Sequence, residues 1–205
     1  DLIIYLGDYI DRGKNSKEVI NLILKLKNDN IETINLMGNH DEFMIDFLFN
    51  KKNNIEYWLN FGIDQTLRSY DIELVEFIKD GFDDDNINKL RDTLLSSMSK
   101  EHVNFFKNLV ISFSTEKYLF VHAGIDPKKK LKNQTKKDYL WSRSKNFFDE
   151  NFKAEKIIIH GHTPVEKNIN YPYRINIDTG CYFSGKLSCV CLNGINEERI
   201  FINNL

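Results

Sequence analysis

The chain has 205 residues, with 28 Lys and Arg, 30 Asp and Glu, and 41% hydrophobic residues. This length suits a single domain, residues 1–205, with a sizeable core. A formal net charge of −2 argues against a dedicated nucleic-acid binder, which normally carries a basic excess. No apolar run approaches the ~20 residues that cross a bilayer. We therefore expect a monomeric cytoplasmic protein that binds neither nucleic acid nor membranes.

The three cysteines also bear on the compartment. Cys181, Cys189 and Cys191 are an odd number, so any disulfide scheme leaves one thiol unpaired. Cys189 and Cys191 lie too close together in a predicted strand to bridge easily. We expect free, buried thiols in a reducing cytoplasm.

The first third of the chain alternates strands and helices. Residues 3–5 predict a buried strand, and Ser16 is expected to be the N-cap of an amphipathic helix. Residues 33–37 predict the next strand, and a second helix is expected to begin near Asp41. This order is typical of an α/β sheet with polar loops at the carboxyl ends of its strands.

From about residue 55 to residue 113 the apolar residues recur at helical spacing, which predicts a helical insertion. An acidic turn within it, residues 83–85, is expected to be a solvated helix cap. Four later segments predict strands, at residues 118–121, 156–159, 174–177 and 187–192. A lysine-rich loop, residues 128–137, lies between the first two of these strands.

Four short polar motifs each follow a predicted strand. They are Gly-Asp-Tyr-Ile-Asp-Arg-Gly at residues 7–13, Gly-Asn-His-Asp at 38–41, His-Ala-Gly at 122–124 and Gly-His-Thr-Pro at 161–164. Asp, Asn and His side chains suit Mn, Fe or Zn, and glycines let a metal or phosphate approach the backbone. Because all four motifs stand at strand ends, together they are a strong signal for one metal site.

Each motif also has a purely structural explanation. Asp8 could cap the following helix, Asp11 and Arg12 could form a surface ion pair, and Asn39 with His40 could shape a turn. Each of these explanations accounts for one motif but not for four together.

The histidines also have both structural and functional interpretations. His122 and His162 could be satisfied core histidines, but their place beside the other motifs favours metal ligation. His160 is on the apolar side of the same strand end as His162, and we expect it to be structural. His102 lies in a helical stretch, and we expect it to be exposed.

The four motifs, in this order, resemble those of the calcineurin-like metallophosphoesterases. Within that family they are most similar to the phosphoprotein phosphatase branch, which includes bacterial and phage serine/threonine phosphatases. The resemblance spans essentially the whole chain, including residues 57–59, 69–70 and 140–143. It implies an α/β fold, a metallo-dependent phosphatase β-sandwich of two mixed sheets flanked by helices, with residues 55–113 as a helical cap.

The resemblance implies two divalent metal ions, with Mn expected and Fe or Zn as alternatives. Asp8 would bridge both ions, and Asn39, His122 and His162 would complete the second site. The family's Asp-x-His-Gly motif, which supplies two ligands of the first ion, is absent from these residues, so that site is incomplete. We expect a truncated sequence, with a metal-poor protein that lacks activity as the alternative.

The resemblance also assigns the catalytic residues. His40 would be the general acid, oriented by Asp11, and Arg12 would grip phosphoryl oxygens with Arg143 as a second clamp. These roles suit phosphomonoester hydrolysis, because a departing alkoxide needs a proton and a guanidinium offers two parallel donors to phosphate.

The leading hypothesis is therefore hydrolysis of phosphoserine or phosphothreonine on proteins. A dinucleoside tetraphosphatase and a general phosphatase of small phosphomonoesters are alternatives. An inactive module that binds phosphorylated ligands is the alternative from another functional class.

Overall fold

The computed structural model describes residues 1–52, 55–79, 81–193 and 198–203. The elements of the chain are β1 (Leu2–Tyr5), α1 (Ser16–Asn28), β2 (Glu32–Asn35), α2 (Asn39–Leu48), α3 (Ile55–Leu59), α4 (Ile63–Ser69), α5 (Val75–Ile78), α6 (Asp84–Ser97), α7 (Lys100–Lys107), β3 (Ser112–Ser114), β4 (Tyr118–Val121), α8 (Lys136–Trp141), α9 (Lys145–Phe148), β5 (Ile157–His160), β6 (Ile169–Tyr171), β7 (Arg174–Asn176), α10 (Cys181–Ser184), β8 (Ser188–Asn193) and β9 (Glu198–Asn203). These elements form two compact units, Asp1–Val110 and Ile111–Leu205. No helix in the described ranges has the length and apolar character that crossing a membrane requires.

In the first unit, β1 and β2 form a parallel pair connected by α1. The pairing continues through an isolated parallel bridge between Leu36 and Val110. Of the apolar residues on α1, Ile20 and Ile23 are buried as the amphipathic pattern predicts, whereas Val19 and Leu22 are exposed. Ser16 is the first residue of α1 and Asn15 is its N-cap, so the predicted cap was one residue late. Because the two strands are parallel, the loops that follow them lie side by side.

Helices α3 to α7 occupy the stretch predicted to be a helical insertion. The last of them ends at Lys107, and Ser112–Ser114 form β3, a strand too short for a clear alternation of side chains. Asp83 caps α6 as expected, accepting the backbone N–H of Asn86 at 2.9 Å.

The expectation of an exposed His102 was also wrong. The side chain is buried on α7, where its Nδ1 is 2.8 Å from the hydroxyl of Tyr70 and its Nε2 is 2.8 Å from Asn21 Oδ1. Two polar partners from distant parts of the first unit therefore satisfy both ring nitrogens.

The second unit contains a five-stranded mixed sheet in the order β3-β4-β5-β7-β6. The three central strands are parallel, and β3 and β6 are antiparallel edges. The core below it contains five fully or almost fully buried residues, Leu119, Val121, Ile125, Phe147 and Ile158. The α/β class, with mixed sheets and flanking helices, is thus confirmed.

A hairpin of β8 and β9 follows the sheet in the chain. It carries Cys189 and Cys191, and Cys181 lies on α10. All three thiols are free, as expected, but they are exposed rather than buried. The alternating pattern of a two-stranded hairpin does not indicate which of its faces is covered.

Candidate functional site

The loop after β1 has an unusual backbone. Asp8, Asp11 and Arg12 all adopt positive φ, at 60°, 72° and 59°. A left-handed conformation costs an L-residue about 1–2 kcal/mol, and such residues cluster where the surrounding structure holds a functional geometry. Other segments of the same chain must therefore stabilise this loop.

Asp41 supplies that stabilisation. Its side chain is fully buried, and its Oδ2 accepts the backbone N–H groups of Gly38 and Asp8, each at 2.8 Å. Its Oδ1 accepts the N–H of Tyr9 at 3.2 Å. Burial and the charge of Asp8 raise the pKa of Asp41 to about 7. One carboxylate thus ties the loop after β1 to the first turn of α2.

The same two loops approach each other too closely for any side chain between them. A Cβ on Gly7 would overlap the backbone of Gly38, and a Cβ on Gly38 would overlap the carboxylate of Asp8. The backbone N–H of His40 also connects the two loops, because it donates to Asp8 Oδ1 at 3.1 Å. The Asp8 side chain remains 28% exposed, so a ligand can still reach its carboxylate.

His40 and Asp11 form a buried pair. The Nδ1 of His40 lies 2.6 Å from Asp11 Oδ2, and since a carboxylate only accepts, Nδ1 carries the proton. Trp58 Nε1 donates to the same oxygen at 2.6 Å, and the Thr66 hydroxyl donates to Asp11 Oδ1 at 2.6 Å. The opposite ring nitrogen of His40, Nε2, is 4.0 Å from Asp8 Oδ2.

Burial and hydrogen bonding act in opposite directions on this pair. Burial raises the pKa of Asp11 above its usual value, and the bonds from His40, Thr66 and Trp58 only partly offset it. Burial disfavours protonated His40, but the hydrogen bond with Asp11 and the nearby carboxylates outweigh it and raise the pKa of His40. The arrangement therefore stabilises the doubly protonated ring of His40 more than solvent would.

Arg12 and Asn39 complete the predicted residues of the first unit. Arg12 is exposed, and its backbone N–H is held by the carbonyl of Gly62 at 3.2 Å. Asn39 is buried at the first position of α2. The structure brings both into the same pair of adjacent loops as Asp8, Asp11 and His40.

In the second unit, two histidines follow neighbouring parallel strands. His122 comes directly after β4, and His162 lies two residues after β5 with a φ of 65°. His122 Nε2 is 3.0 Å from His162 Nδ1. Two nitrogens bound at ~2.1 Å to one metal ion lie about 3.0 Å apart at an octahedral angle and about 3.4 Å apart at a tetrahedral angle. The donor atoms and their spacing fit a divalent metal.

Arg143 contacts this pair. Its Nε donates to His162 Nε2 at 3.2 Å, and the ring of Trp141 stands 6.2 Å from the His162 ring, edge to face. His162 can bind a metal through Nδ1 only with its proton on Nε2. In that state it no longer accepts the Arg143 bond, and the guanidinium becomes available to another acceptor.

His160 supports the loop that carries His162. It is fully buried, and its Nδ1 is 2.9 Å from the carbonyl of Gly161. Burial lowers its pKa to about 3, so the ring is neutral. This agrees with the structural role expected from the sequence.

Three residues of the first unit escaped the sequence prediction. Trp58 lies in a segment noted only for its resemblance, and Thr66 has no motif of its own. Asp41 stands in the Gly-Asn-His-Asp motif, where an acid three residues after the helix N-cap was a signal for backbone capping.

Residues 1–191 match the family model of the calcineurin-like phosphoesterases. The bis(5'-nucleosyl)-tetraphosphatase [asymmetrical] of Anoxybacillus flavithermus is 23% identical, over 92% of this chain and 74% of its own length. Serine/threonine-protein phosphatase 2 of Salmonella typhimurium is 26% identical, over 92% of this chain and 78% of its own length.

Two crystal structures share the fold over the whole chain. One, of a protein named provisionally as a diadenosine tetraphosphatase, has a TM-score of 0.61 at 16% identity and is covered over 81% of its length. The other, a metallophosphoesterase from Sphaerobacter thermophilus, has a TM-score of 0.54 at 17% identity and is covered over 78%. At these identities the likeness extends to the fold alone.

Proposed function

The chain belongs to the calcineurin-like phosphoesterase family, and from that premise we propose that it hydrolyses phosphoserine and phosphothreonine on proteins. Its general chemistry is phosphoester hydrolysis, and its family uses divalent metal ions. The observation that carries the finer proposal is the 2.6 Å bond between His40 Nδ1 and Asp11 Oδ2. This bond holds the ring so that the opposite nitrogen, Nε2, lies 4.0 Å from Asp8 Oδ2, where its proton would serve a leaving group.

We propose that Asp8, Asn39, His122 and His162 would hold one metal ion, and that Asp8 would also be a ligand of a second ion. The support is the family resemblance together with the donor types and the spacing of the two histidines. When bound, such ions neutralise phosphoryl charge and lower the pKa of a bound water. Several expectations stay predictions: the number of ions, the preference for Mn, the monomeric state, the cytoplasmic location and the single domain.

Side chains of this protein would bind the phosphoryl group and supply the proton. Arg12 would hold phosphoryl oxygens through its planar fork, and Arg143 would join it once His162 releases its hydrogen bond. His40 would give its Nε2 proton to the departing alkoxide, while Asp11 keeps the ring oriented and stabilises its charge. An alkoxide gains far more from this proton than a leaving group that is already stable as an anion.

A second candidate is asymmetric cleavage of bis(5'-nucleosyl) tetraphosphates, favoured by the names of several relatives at 23–25% identity. Its leaving group is a phosphate chain, which departs as a stable anion at neutral pH. It would therefore make little use of the His40 proton.

His40→Asn tests the proposal through its dependence on the leaving group. On a phosphothreonine peptide, kcat should fall by about 10²–10⁴-fold, the usual contribution of general acid catalysis. On nitrophenyl phosphate the loss should be much smaller, because nitrophenolate needs little protonation. Metal content, measured by elemental analysis, should not change.

Equal losses on both substrates would contradict the role of His40 as an acid. Turnover of bis(5'-nucleosyl) tetraphosphate without turnover of the peptide would favour the second candidate.

A further inference from the structure

The second unit contains an open groove of about 310 Å³ beside α8. It begins at Arg143 and Trp141, which both contact His162. The lysine-rich loop and the first residues of α8 form the rest of its lining. The charged and aromatic residues that line it are Asp126, Lys128, Lys137, Asp138, Trp141 and Arg143.

The groove carries an excess of positive charge. Its two carboxylates are both held by Lys129, whose Nζ is 2.7 Å and 2.9 Å from the oxygens of Asp138 and 3.7 Å from Asp126. Lys128 and Lys137 are exposed and, among the described residues, form no ion pair. With Arg143, three cations therefore line the groove beside two carboxylates, a net charge of about +1. Lys129, which is outside the lining, compensates the two carboxylates further, so an anionic ligand meets an excess of positive charge.

The position of the groove restricts what this charge can bind. An extended peptide advances about 3.3 Å per residue. A peptide whose phosphoryl group is held near Arg143 would place its next one to three residues about 3–10 Å away, along the groove. Trp141 offers these residues an apolar ring surface. The groove is open and has a single aromatic ring, which suits an extended chain better than an enclosed base.

We propose that this groove binds acidic residues adjacent to the phosphorylated side chain, and so selects acidic phosphopeptides. The inference rests on the proposed function, which it deepens by naming the class of peptide. Lys128 and Lys137 provide the complementary charges, and Trp141 packs against the peptide between them and the phosphoryl group. The contribution of such exposed charges is largest at low ionic strength.

Two phosphothreonine peptides of equal length test this inference, one with Glu on both sides of the phosphothreonine and one with Gln there. The parent protein should prefer the Glu peptide in kcat/KM by about 3- to 30-fold at low salt. Lys128→Gln with Lys137→Gln should reduce this preference to within about twofold. Added salt should reduce the parent's preference in the same direction.

Lys130→Gln with Lys132→Gln is the matched control. These lysines are exposed on the same loop but do not line the groove, and the net charge changes equally. The control should keep the preference for the Glu peptide. An equal loss in both double variants would overturn the inference, because total charge rather than the groove would then set the preference.

The inference and the proposed function fail in different ways. Turnover of both peptides at equal rates by the parent protein would overturn the groove inference and leave the proposed function standing. Turnover of bis(5'-nucleosyl) tetraphosphate but of neither peptide would overturn both. If that turnover also depended on Lys128 and Lys137, the groove would hold a polyphosphate chain instead.

Discussion

Thr66→Val isolates the support that holds the His40–Asp11 pair. The Thr66 hydroxyl donates to Asp11 Oδ1 at 2.6 Å and accepts the backbone N–H of Asp11 at 2.8 Å. Both residues are buried, so water cannot replace either bond without entering the core. Valine has nearly the same shape as threonine but can make neither bond.

The magnitude follows from these two bonds. A hydrogen bond to a charged group contributes about 1.5–3 kcal/mol, and a buried donor left without a partner costs about 1–3 kcal/mol. Thr66→Val should therefore lower the free energy of unfolding by about 3–5 kcal/mol. Thr66→Ser keeps the hydroxyl and loses one methyl group, which should cost only about 1 kcal/mol.

Thr66→Val should also lower the catalytic rate. Without the Thr66 bond, the pKa of Asp11 rises further, because burial already raises it and one opposing hydrogen bond is gone. An Asp11 carboxylate that has lost this bond is less well fixed beside His40 and orients its ring less firmly. We expect kcat on a phosphothreonine peptide to fall by about tenfold in Thr66→Val, with a smaller fall on nitrophenyl phosphate and little change in Thr66→Ser.

Urea unfolding followed by tryptophan fluorescence measures the first effect, and the two substrates measure the second. A valine variant as stable as the serine variant would refute the energetic reasoning. A stable valine variant with equal losses on both substrates would refute the link to the proton of His40.

Two further predictions concern stability. Burial lowers the pKa of His102, so the unfolded chain binds more protons and the folded state should lose stability as pH falls through about 6.5. His102→Asn keeps an acceptor for the Tyr70 hydroxyl and should weaken this dependence between pH 7 and pH 5 in urea unfolding; an unchanged slope would exclude His102 as its source. Gly124 has a φ of 144°, and a Cβ there would overlap the ring of Phe147. Gly124→Ala should cost about 2–4 kcal/mol of unfolding free energy, and a loss below about 1 kcal/mol would contradict the overlap.

The sequence predicts the parts of this fold whose signals are local. Strand β4 is an apolar run that ends at Val121, and His122 directly after it stands out as a ligand-type residue. Trp58 and Thr66 carry no such signal, because they contact Asp11 from 47 and 55 residues away. No periodicity or spacing encodes a contact of that separation.

His102 and the short edge strands show the same limit. The periodicity of α7 marks a buried face, but a histidine on that face is compatible with burial only when both ring nitrogens have partners. Those partners, Tyr70 and Asn21, become visible only once α1, α4 and α7 are packed together. Strand β6 has three residues and is defined by its pairing with β7 rather than by its own sequence.

Asp41 connects the loop after β1 to the first turn of α2 through its buried carboxylate. The three N–H groups that its carboxylate accepts come from both loops, so neither loop can move without breaking bonds to a fully buried acid. Asp8, at a left-handed φ, is fixed through its own N–H, and His40 through its N–H bond to Asp8. The carboxylate proposed to bind metal and the histidine proposed to donate the proton are therefore positioned by the same buried group. A change in Asp41 should disturb both functions together, whereas a change in Thr66 should act mainly through the proton.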